Sequence, residues 1–156
     1  MGRWFREHTM IPILHLWFRV QRGMTMGVRA VVKDSDGRVF LVRHSYLPGW
    51  HFPGGGVEVG QTCEQALAME LSEEGNLTMT KPAQLFGVYL NRQTSRRDHV
   101  LLYLVENAVQ SAPKLPNHEI VETGFFPPES LPETTSPATR RRLDEIAGRS
   151  ALSREW

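Results

Sequence analysis

Three glutamates, Glu70, Glu73 and Glu74, have a spacing that would let them do chemistry together. On a helix, Glu70 and Glu74 lie four residues apart on one face, and Glu73 falls within an arc of about 100° of them. Each like-charged pair costs roughly 0.2–0.5 kcal/mol, and residues 62–74 contain no Lys or Arg to offset it. A divalent cation would offset it, and carboxylate oxygens suit Mg²⁺ or Mn²⁺. The pattern favours a metal site, although adjacent glutamates are also common on solvated helix surfaces.

Three consecutive glycines, residues 54–56, precede these glutamates. Glycine lets the backbone turn sharply and approach a ligand closely, so Gly55 and Gly56 are candidate substrate contacts. A glycine-rich loop that leads into a helix also suggests phosphate binding. Residues 55–62 come within one substitution of a P-loop, but Gln61 stands where that motif needs lysine, and no strongly apolar strand leads directly into the loop. The sequence therefore argues against a P-loop.

Residues 53–77, PGGGVEVGQTCEQALAMELSEEGNL, resemble the Nudix box, whose pattern is G-x5-E-x7-R-E-U-x-E-E-x-G-U with U a bulky apolar residue. Aligned on Gly55, the matching positions are Glu70, Leu71, Glu73, Glu74 and Leu77. The segment GWHFPGGG, residues 49–56, is also similar to the approach to that box. Such a long spaced pattern is specific for the fold, and the resemblance implies an α/β/α sandwich with a mixed β-sheet between helices.

Three positions depart from the Nudix pattern. Gln61 replaces the first glutamate, Met69 replaces the arginine, and Asn76 replaces the glycine before the last apolar position. Asn76 tolerates the backbone conformation that glycine would adopt, and Gly75 stands one place earlier. In the family, the missing glutamate and arginine help to hold the loop and the helix together. Because both ionic groups are absent, neither leaves an unpaired partner, and we interpret the change as a neutralised structural contact.

The resemblance implies metal-dependent hydrolysis of a phosphate–phosphate bond in a nucleoside diphosphate derivative or a similar small pyrophosphate. Glu70, Glu73 and Glu74 would bind Mg²⁺ (or Mn²⁺), together with a backbone carbonyl near Gly54 or Gly55. The metal would neutralise the pyrophosphate and orient a water, and a carboxylate would take the proton of that water. The alternative is a Nudix-like module that binds a nucleotide or a partner without catalysis, as the substitutions at positions 61 and 69 would permit.

Further residues are candidates for proton transfer and substrate binding. The carboxylate that accepts the proton is Glu70, or one of Glu119 and Glu122 on or beside the last strand. The candidate contacts for phosphate are Arg29, Arg43 and His44. The aromatic residues that could stack on a base are Tyr46, Trp50 and Phe52. An aromatic residue beside glycines is, however, often part of the core.

Apolar and β-branched runs predict strands over residues 26–32, 38–42, 85–90, 99–105 and 119–126, and helices are predicted over residues 62–74 and 136–147. An Asp-Gly pair ending at Gly37 predicts a hairpin between the first two strands. Thr62 and Gln65 form a capping-box pattern, and Ser136 is placed to cap the second helix. Elements in this order are compatible with a mixed sheet that carries helices on its faces.

The composition is that of one globular domain. The chain has 156 residues, 40% of them hydrophobic, and a formal net charge of +1, which gives no reason to expect nucleic-acid binding. Cys63 is the only cysteine, and no apolar run reaches membrane-spanning length, so we expect a cytoplasmic protein with no membrane partner. Residues 1–25 are interpreted as an amphipathic arm that packs on the 26–156 domain or on a second subunit, and the latter arrangement would give a homodimer.

Overall fold

The computed structural model describes residues 17, 20–106 and 108–156. Most of the expected arm over residues 1–25 lies outside these described residues, so the arm stays a prediction. The elements of the domain are β1 (Thr25–Lys33), β2 (Val39–His44), β3 (Trp50–His51), α1 (Cys63–Gly75), β4 (Leu77–Thr78), β5 (Gln84–Leu90), β6 (Asp98–Glu106), β7 (Val109–Gln110), β8 (Ile120–Phe126) and α2 (Pro137–Ile146). Each strand and helix predicted from the sequence is present, with bounds within two residues of those expected.

The main sheet is mixed, as expected. Its strand order is β3-β2-β1-β6-β5, and β8 pairs with β2 outside this path. β1 and β6 are parallel along their whole length, whereas the other pairings in this sheet are antiparallel. A second, two-stranded sheet joins β4 to β7. The short strands β3, β4 and β7 were not predicted, because two residues are too few to show a periodic pattern.

The predicted hairpin between β1 and β2 forms, but its two strands separate at once. Gly37 takes the positive φ, +77°, that the turn requires. The two strands pair only at Lys33 and Val39, whereas β2 pairs with β8 from Val39 onward and with β3 at Val42 and Arg43. This separation leaves one edge of β1 open to another segment of the chain.

The glycine-rich loop fills that open edge of β1. The Val28 amide donates to the Gly55 carbonyl at 2.9 Å, and the Ala30 amide donates to the Pro53 carbonyl at 3.0 Å. The Val57 amide completes the pairing by donating to the carbonyl of residue 26 at 2.8 Å. The loop is therefore held against the centre of the sheet by backbone hydrogen bonds.

The two helices cover opposite faces of the sheet. Because side chains alternate along a strand, each face has its own core. The core under α1 includes Ala66, Leu67 and Leu71, whereas the core under α2 includes Leu143, with Ile146 packed against it. This arrangement confirms the predicted α/β/α sandwich.

The capping contacts that the sequence predicts at the helix ends are present in the structure. The Thr62 side chain accepts from the Gln65 amide, and the Gln65 side chain accepts from the Thr62 amide, so the capping box is present. Asn76 ends α1 in the left-handed conformation with φ +52°, and the Ser136 hydroxyl caps α2. No helix of the described ranges is both long enough and apolar enough to cross a membrane.

Candidate active site

The second half of α1 carries the three glutamates, and each has different surroundings. Glu74 follows Leu67 and Leu71 on the buried face of the helix and is only 5% exposed. Glu70 is half-buried, and Glu73 faces solvent. A buried carboxylate needs hydrogen-bond partners, and Glu74 has two of them.

Glu74 joins α1 to the glycine-rich loop. Its Oε2 accepts a hydrogen bond from the Gly54 amide at 2.7 Å, and its Oε1 lies 2.5 Å from Nε2 of His44. The side chains of His44 and Glu74 are both almost fully buried. Since a carboxylate oxygen accepts, Nε2 of His44 donates, and its buried Nδ1 has no partner among the described residues. His44 is a candidate phosphate contact, and in the structure its buried ring bonds to Glu74.

Two glycines of the loop are packed too closely for a side chain. Gly54 has φ +139°, and a Cβ there would lie 2.1 Å from the carbonyl oxygen of Val28. A Cβ at Gly55 would lie 2.1 Å from Oε1 of Glu70, so the Glu70 carboxylate lies directly against the loop backbone. Gly56, by contrast, has open space on that side. Gly54 and Gly55 are therefore required by packing against β1 and Glu70, whereas contact of Gly55 and Gly56 with a ligand stays a prediction.

Glu70 is the carboxyl group of the site with a strongly shifted pKa. Burial, reinforced by the neighbouring Glu74 carboxylate, raises the pKa of Glu70 from 4.5 to about 7. Arg29 opposes this shift, whereas Glu73 and Glu119 add to it. A carboxyl group with a pKa near neutrality is suited to proton transfer, and a cation beside it would favour its charged form.

A cavity of about 320 Å³, which we call the glutamate cavity, opens beside α1. It is lined by Glu70, Glu73, Glu74, Lys114, Asn117, Glu119 and Ile120. The loop before β8 brings Glu119 to this cavity, where its Oε1 accepts from the Tyr46 hydroxyl at 3.3 Å. Sequence reasoning missed Lys114 and Asn117, since a polar loop gives no local signal that it folds over a helix some forty residues earlier.

Glu122 has a different environment. Its Oε2 pairs with Nη2 of Arg43 at 2.9 Å across β2 and β8, and both side chains are exposed. Arg43 and His44 are consecutive on β2 and therefore point to opposite faces of the sheet. The Arg43–Glu122 pair lies on the α2 face, away from Glu74. Of the two distant carboxylates considered as proton acceptors, Glu119 is the one that shares a cavity with Glu70.

Two of the three candidate aromatic contacts belong to the core. Trp50 and Phe52 are 6% and 1% exposed, and Trp50 packs edge-on against Phe126 with ring centroids 4.9 Å apart. Trp50 was expected as a candidate stacking partner for a base, and in the structure its ring packs in the core under α2. Tyr46 remains 68% exposed, with its ring 5.1 Å from that of His44.

Arg29 connects the glycine-rich loop to a second cavity. Its Nη1 donates to the carbonyl oxygens of Gly54 and Phe52, the latter at 3.2 Å. The second cavity, about 260 Å³, is called the α2 cavity; it is lined by Arg29, Leu47, His51, Phe52, Asn91, Gln93, Thr94, Ser136, Pro137, Ala138, Thr139, Arg141 and Trp156. Because Gly54 bonds to Arg29 through its carbonyl and to Glu74 through its amide, one loop residue links the two cavities.

The donor set of the glutamate cavity fits a hard divalent cation. Carboxylate oxygens come from Glu70, Glu73, Glu74 and Glu119. Within the described part of the chain, no three His, Cys, Asp or Glu side chains already converge on one point. The reason is visible in the contacts, since Glu74 is engaged by His44 and by the loop amide, while Glu73 extends into solvent.

The two altered positions of the box touch each other. Nε2 of Gln61 donates to the sulfur of Met69 at 3.6 Å, and Oε1 of Gln61 accepts from the Glu58 amide at 3.1 Å. The loop and α1 are therefore joined at these positions without charges. This geometry agrees with the interpretation of a neutralised structural contact.

Comparison with known proteins gives a consistent picture. The NUDIX domain model matches residues 23–146. An RNA pyrophosphohydrolase of Photobacterium profundum is 43% identical over 56 residues, which is 36% of this chain and only 32% of that protein. A MutT NUDIX hydrolase of Burkholderia pseudomallei has a TM-score of 0.67 at 24% identity, covering 78% of this chain and 97% of that one. An ADP-ribose pyrophosphatase of Streptococcus suis has a TM-score of 0.60 at 22% identity, covering 82% and 94%. At these identities the two structures show the shared fold.

The family match begins before β1 and ends with the last residue of α2, so it spans the whole sandwich. The residues that resemble the Nudix box, 53–77, lie within this match. They form the glycine-rich loop and α1, on which the glutamate cavity is built. By its sequence and its fold, the chain belongs to the NUDIX family.

Proposed function

We propose that this protein hydrolyses a phosphate–phosphate bond in a nucleoside diphosphate derivative or a similar small pyrophosphate, with Mg²⁺ or Mn²⁺ as cofactor. The observation that carries the proposal is the glutamate cavity, where the carboxylates of α1 face Glu119 beside a glycine-rich loop. An acidic cavity repels a pyrophosphate unless a cation is bound between them. Pyrophosphate hydrolysis is also what the names of two relatives describe for those proteins.

The metal ligands in this proposal are Glu70, Glu73 and Glu74, with the Gly54 carbonyl as a further oxygen. When bound, the cation supplies neutralisation of the phosphate charge. His44 holds the Glu74 carboxylate at the loop through the hydrogen bond to Oε1. The long, exposed side chain of Glu73 is free to turn toward the cavity that it lines.

In the reaction, a water oxygen forms a bond to phosphorus, the bridging P–O bond breaks, and the leaving phosphate departs with the bridging oxygen. The proton of the water passes to a carboxylate of the cavity. Glu70 suits this step because its carboxylate lies against the loop backbone in the glutamate cavity, and Glu119 suits it because the Tyr46 hydroxyl holds it in place. The variants below separate these two candidates.

The substrate is proposed to lie across the glycine-rich loop. Arg29 reaches the loop from the α2 cavity, so its guanidinium is placed to meet phosphate oxygens on that side. Lys114 supplies a positive charge in the glutamate cavity. The backbone of Gly55 and Gly56 would contact the phosphates, which would lie between Arg29 and Lys114. The group attached to the diphosphate would then occupy the α2 cavity.

The test is product release from a panel of nucleoside diphosphate derivatives with Mg²⁺ or Mn²⁺, using the native chain and three variants, Glu70→Gln, Glu73→Gln and Glu119→Gln. Glu73→Gln is the clearest variant for metal binding, because the Glu73 side chain makes no hydrogen bond to any residue that the structure describes. Glu64→Gln is the matched control, since it lies on α1 outside the cavity. Loss of the proton acceptor should lower kcat about 10²- to 10⁴-fold and remove one limb of the pH profile.

Each outcome decides between the functions considered. Metal-dependent turnover that survives Glu64→Gln and collapses in Glu73→Gln supports the hydrolase. Turnover that is unchanged by a chelator contradicts the metal requirement. If folded protein turns over no compound of the panel but is stabilised against heat by a nucleotide, the non-catalytic binding module is the correct function. The homodimer and the cytoplasmic location remain predictions.

A further inference from the structure

A segment outside the family match packs back onto the domain. Residues 153–156, which we call the 153–156 segment, follow the matched residues 23–146 and lie beside the end of β5. The Leu90 amide donates to the carbonyl of Arg154 at 2.9 Å, and the Trp156 amide donates to the Leu90 carbonyl at 3.1 Å. The segment therefore extends the sheet at its β5 edge.

Buried charges hold this segment in one position. Arg142 is fully buried and donates to the Glu155 carbonyl at 2.9 Å and to Glu145 at 2.7 Å. Glu145 also accepts from the Ser153 amide at 3.0 Å and from the Tyr89 hydroxyl at 2.9 Å. A buried ion pair carries a desolvation cost that only good geometry and further hydrogen bonds offset. Here those hydrogen bonds go to the backbone of the segment, which fixes where its last residue lies.

That last residue, Trp156, forms part of the wall of the α2 cavity. Its ring packs edge-on against Tyr89 at a centroid distance of 5.6 Å, and the Arg142 guanidinium lies 5.5 Å from its centroid. Its carbonyl accepts from Arg141, another wall residue, at 3.0 Å. Trp156 as a whole is half-buried, and it is one of the residues that line the cavity.

We propose that Trp156 is a specificity-determining residue and that it contacts the nucleobase of the substrate in the α2 cavity. This inference rests on the proposed function. The walls of the α2 cavity suit a heterocycle, because they combine the Trp156 indole with the Gln93 amide. The cationic Arg29 lies at the glycine-rich loop, where the phosphates of the substrate would be. Aromatic stacking depends little on which base is stacked. Trp156 would therefore distinguish substrates with a nucleobase from those without one more strongly than it distinguishes one nucleobase from another.

The first experiment compares KM and kcat of the native chain, Trp156→Ala and Trp156→Phe for the best nucleoside diphosphate derivative of the panel. Trp156→Ala should raise KM roughly tenfold, the lower range for loss of one base–aromatic contact, with kcat within about twofold. Trp156→Phe should keep most of the affinity because it keeps a ring. Leu152→Ala, an exposed position outside the cavity lining, is the matched control.

A binding measurement covers the case in which Trp156→Ala does not fold. The native chain is labelled with 5-fluorotryptophan, the Trp156 resonance is identified from its absence in Trp156→Phe, and ADP or GDP is added without divalent metal. We expect the Trp156 signal to shift with either nucleotide and not with inorganic pyrophosphate. An unmoved signal at saturating nucleotide, or an unchanged KM in folded Trp156→Ala, overturns the inference.

These readouts also separate the inference from the proposed function. If the native chain hydrolyses its substrate while Trp156 neither shifts nor affects KM, only the role of Trp156 is wrong. A fall in thermal stability and kcat with KM unchanged likewise overturns it, since that pattern describes a structural residue. If the native chain neither hydrolyses nor binds any nucleotide, the proposed function fails together with this inference.

Discussion

Replacing Glu74 by glutamine should destabilise the protein even without metal or substrate. Glu74 accepts two hydrogen bonds in a buried site, from the Gly54 amide at 2.7 Å and from Nε2 of His44 at 2.5 Å. A glutamine has only one acceptor oxygen. If that oxygen serves Gly54, the new amide faces Nε2 and forces the ring proton to Nδ1, which has no partner among the described residues. If the glutamine oxygen instead accepts from His44, the glutamine NH2 group faces the Gly54 N–H, and two donors face each other.

Either arrangement leaves one buried donor unsatisfied, which costs about 1–3 kcal/mol. In a chain of 156 residues, roughly 2–4 °C of Tm is lost per kcal/mol, so Tm should fall by about 2–12 °C. The assays are thermal and urea unfolding in EDTA, followed by a double-mutant cycle with His44→Phe. Removing the ring nitrogens should cost less in the Glu74→Gln background than in the native chain, giving an interaction energy of about 0.5–3 kcal/mol.

The control for this prediction is Glu73→Gln, an exposed glutamate on the same turn of α1, which should stay within about 0.5 kcal/mol of the native free energy of unfolding. If Glu74→Gln is as stable as Glu73→Gln in EDTA, the buried hydrogen bonds described here do not hold the loop. The role of His44 as the partner of Glu74 would then be refuted as well.

Two further predictions concern the same loop and helix. The folded-state pKa of Glu70 is raised from 4.5 to about 7, so the metal-free native state holds an extra proton between these pH values. The free energy of unfolding should therefore fall by about 1–2 kcal/mol as the pH rises from 4.5 to 7, a figure already reduced for the partial exposure of Glu70. In a series of urea-unfolding measurements across this pH range, Glu70→Gln should show a smaller change. An equal slope in both proteins would contradict the shift. Gly54→Ala should destabilise the protein by about 2–5 kcal/mol, since its Cβ would lie 2.1 Å from the Val28 carbonyl oxygen and its φ is +139°. Gly56→Ala is the control: a Cβ there has open space, so this variant should be nearly neutral in the same unfolding assay. Equal costs for the two variants would show that the loop relaxes freely.

Local features were predictable because neighbouring residues determine them. The capping box of Thr62 and Gln65, the left-handed stop at Asn76 and the glycine turn at Gly37 all depend on contacts within a few residues. Strands of five or more residues show their apolar pattern directly. The hairpin prediction was only partly right, since no local signal indicates that β1 and β2 separate after the single pair of Lys33 and Val39.

The candidate site divides in the same way. Helical spacing alone grouped Glu70, Glu73 and Glu74, but it did not say that Glu74 would be buried and Glu73 exposed. The distant carboxylates Glu119 and Glu122 were equivalent in the sequence. The tertiary structure separates them, because a bulge and the alternation of side chains send them to different surroundings.

By itself, the sequence determined the α/β/α class, the family and the grouping of three glutamates on α1, because a spaced motif and a helix period depend only on the order of residues in the chain. Only the tertiary structure decided the partners of those groups. It buried His44 beside Glu74 and Trp50 in the core. It also brought Trp156 to a cavity lined by Arg29 and Phe52, which are more than a hundred residues earlier in the chain. Such contacts depend on which elements share a face of the sheet, and the sheet pairs segments that are distant in the chain.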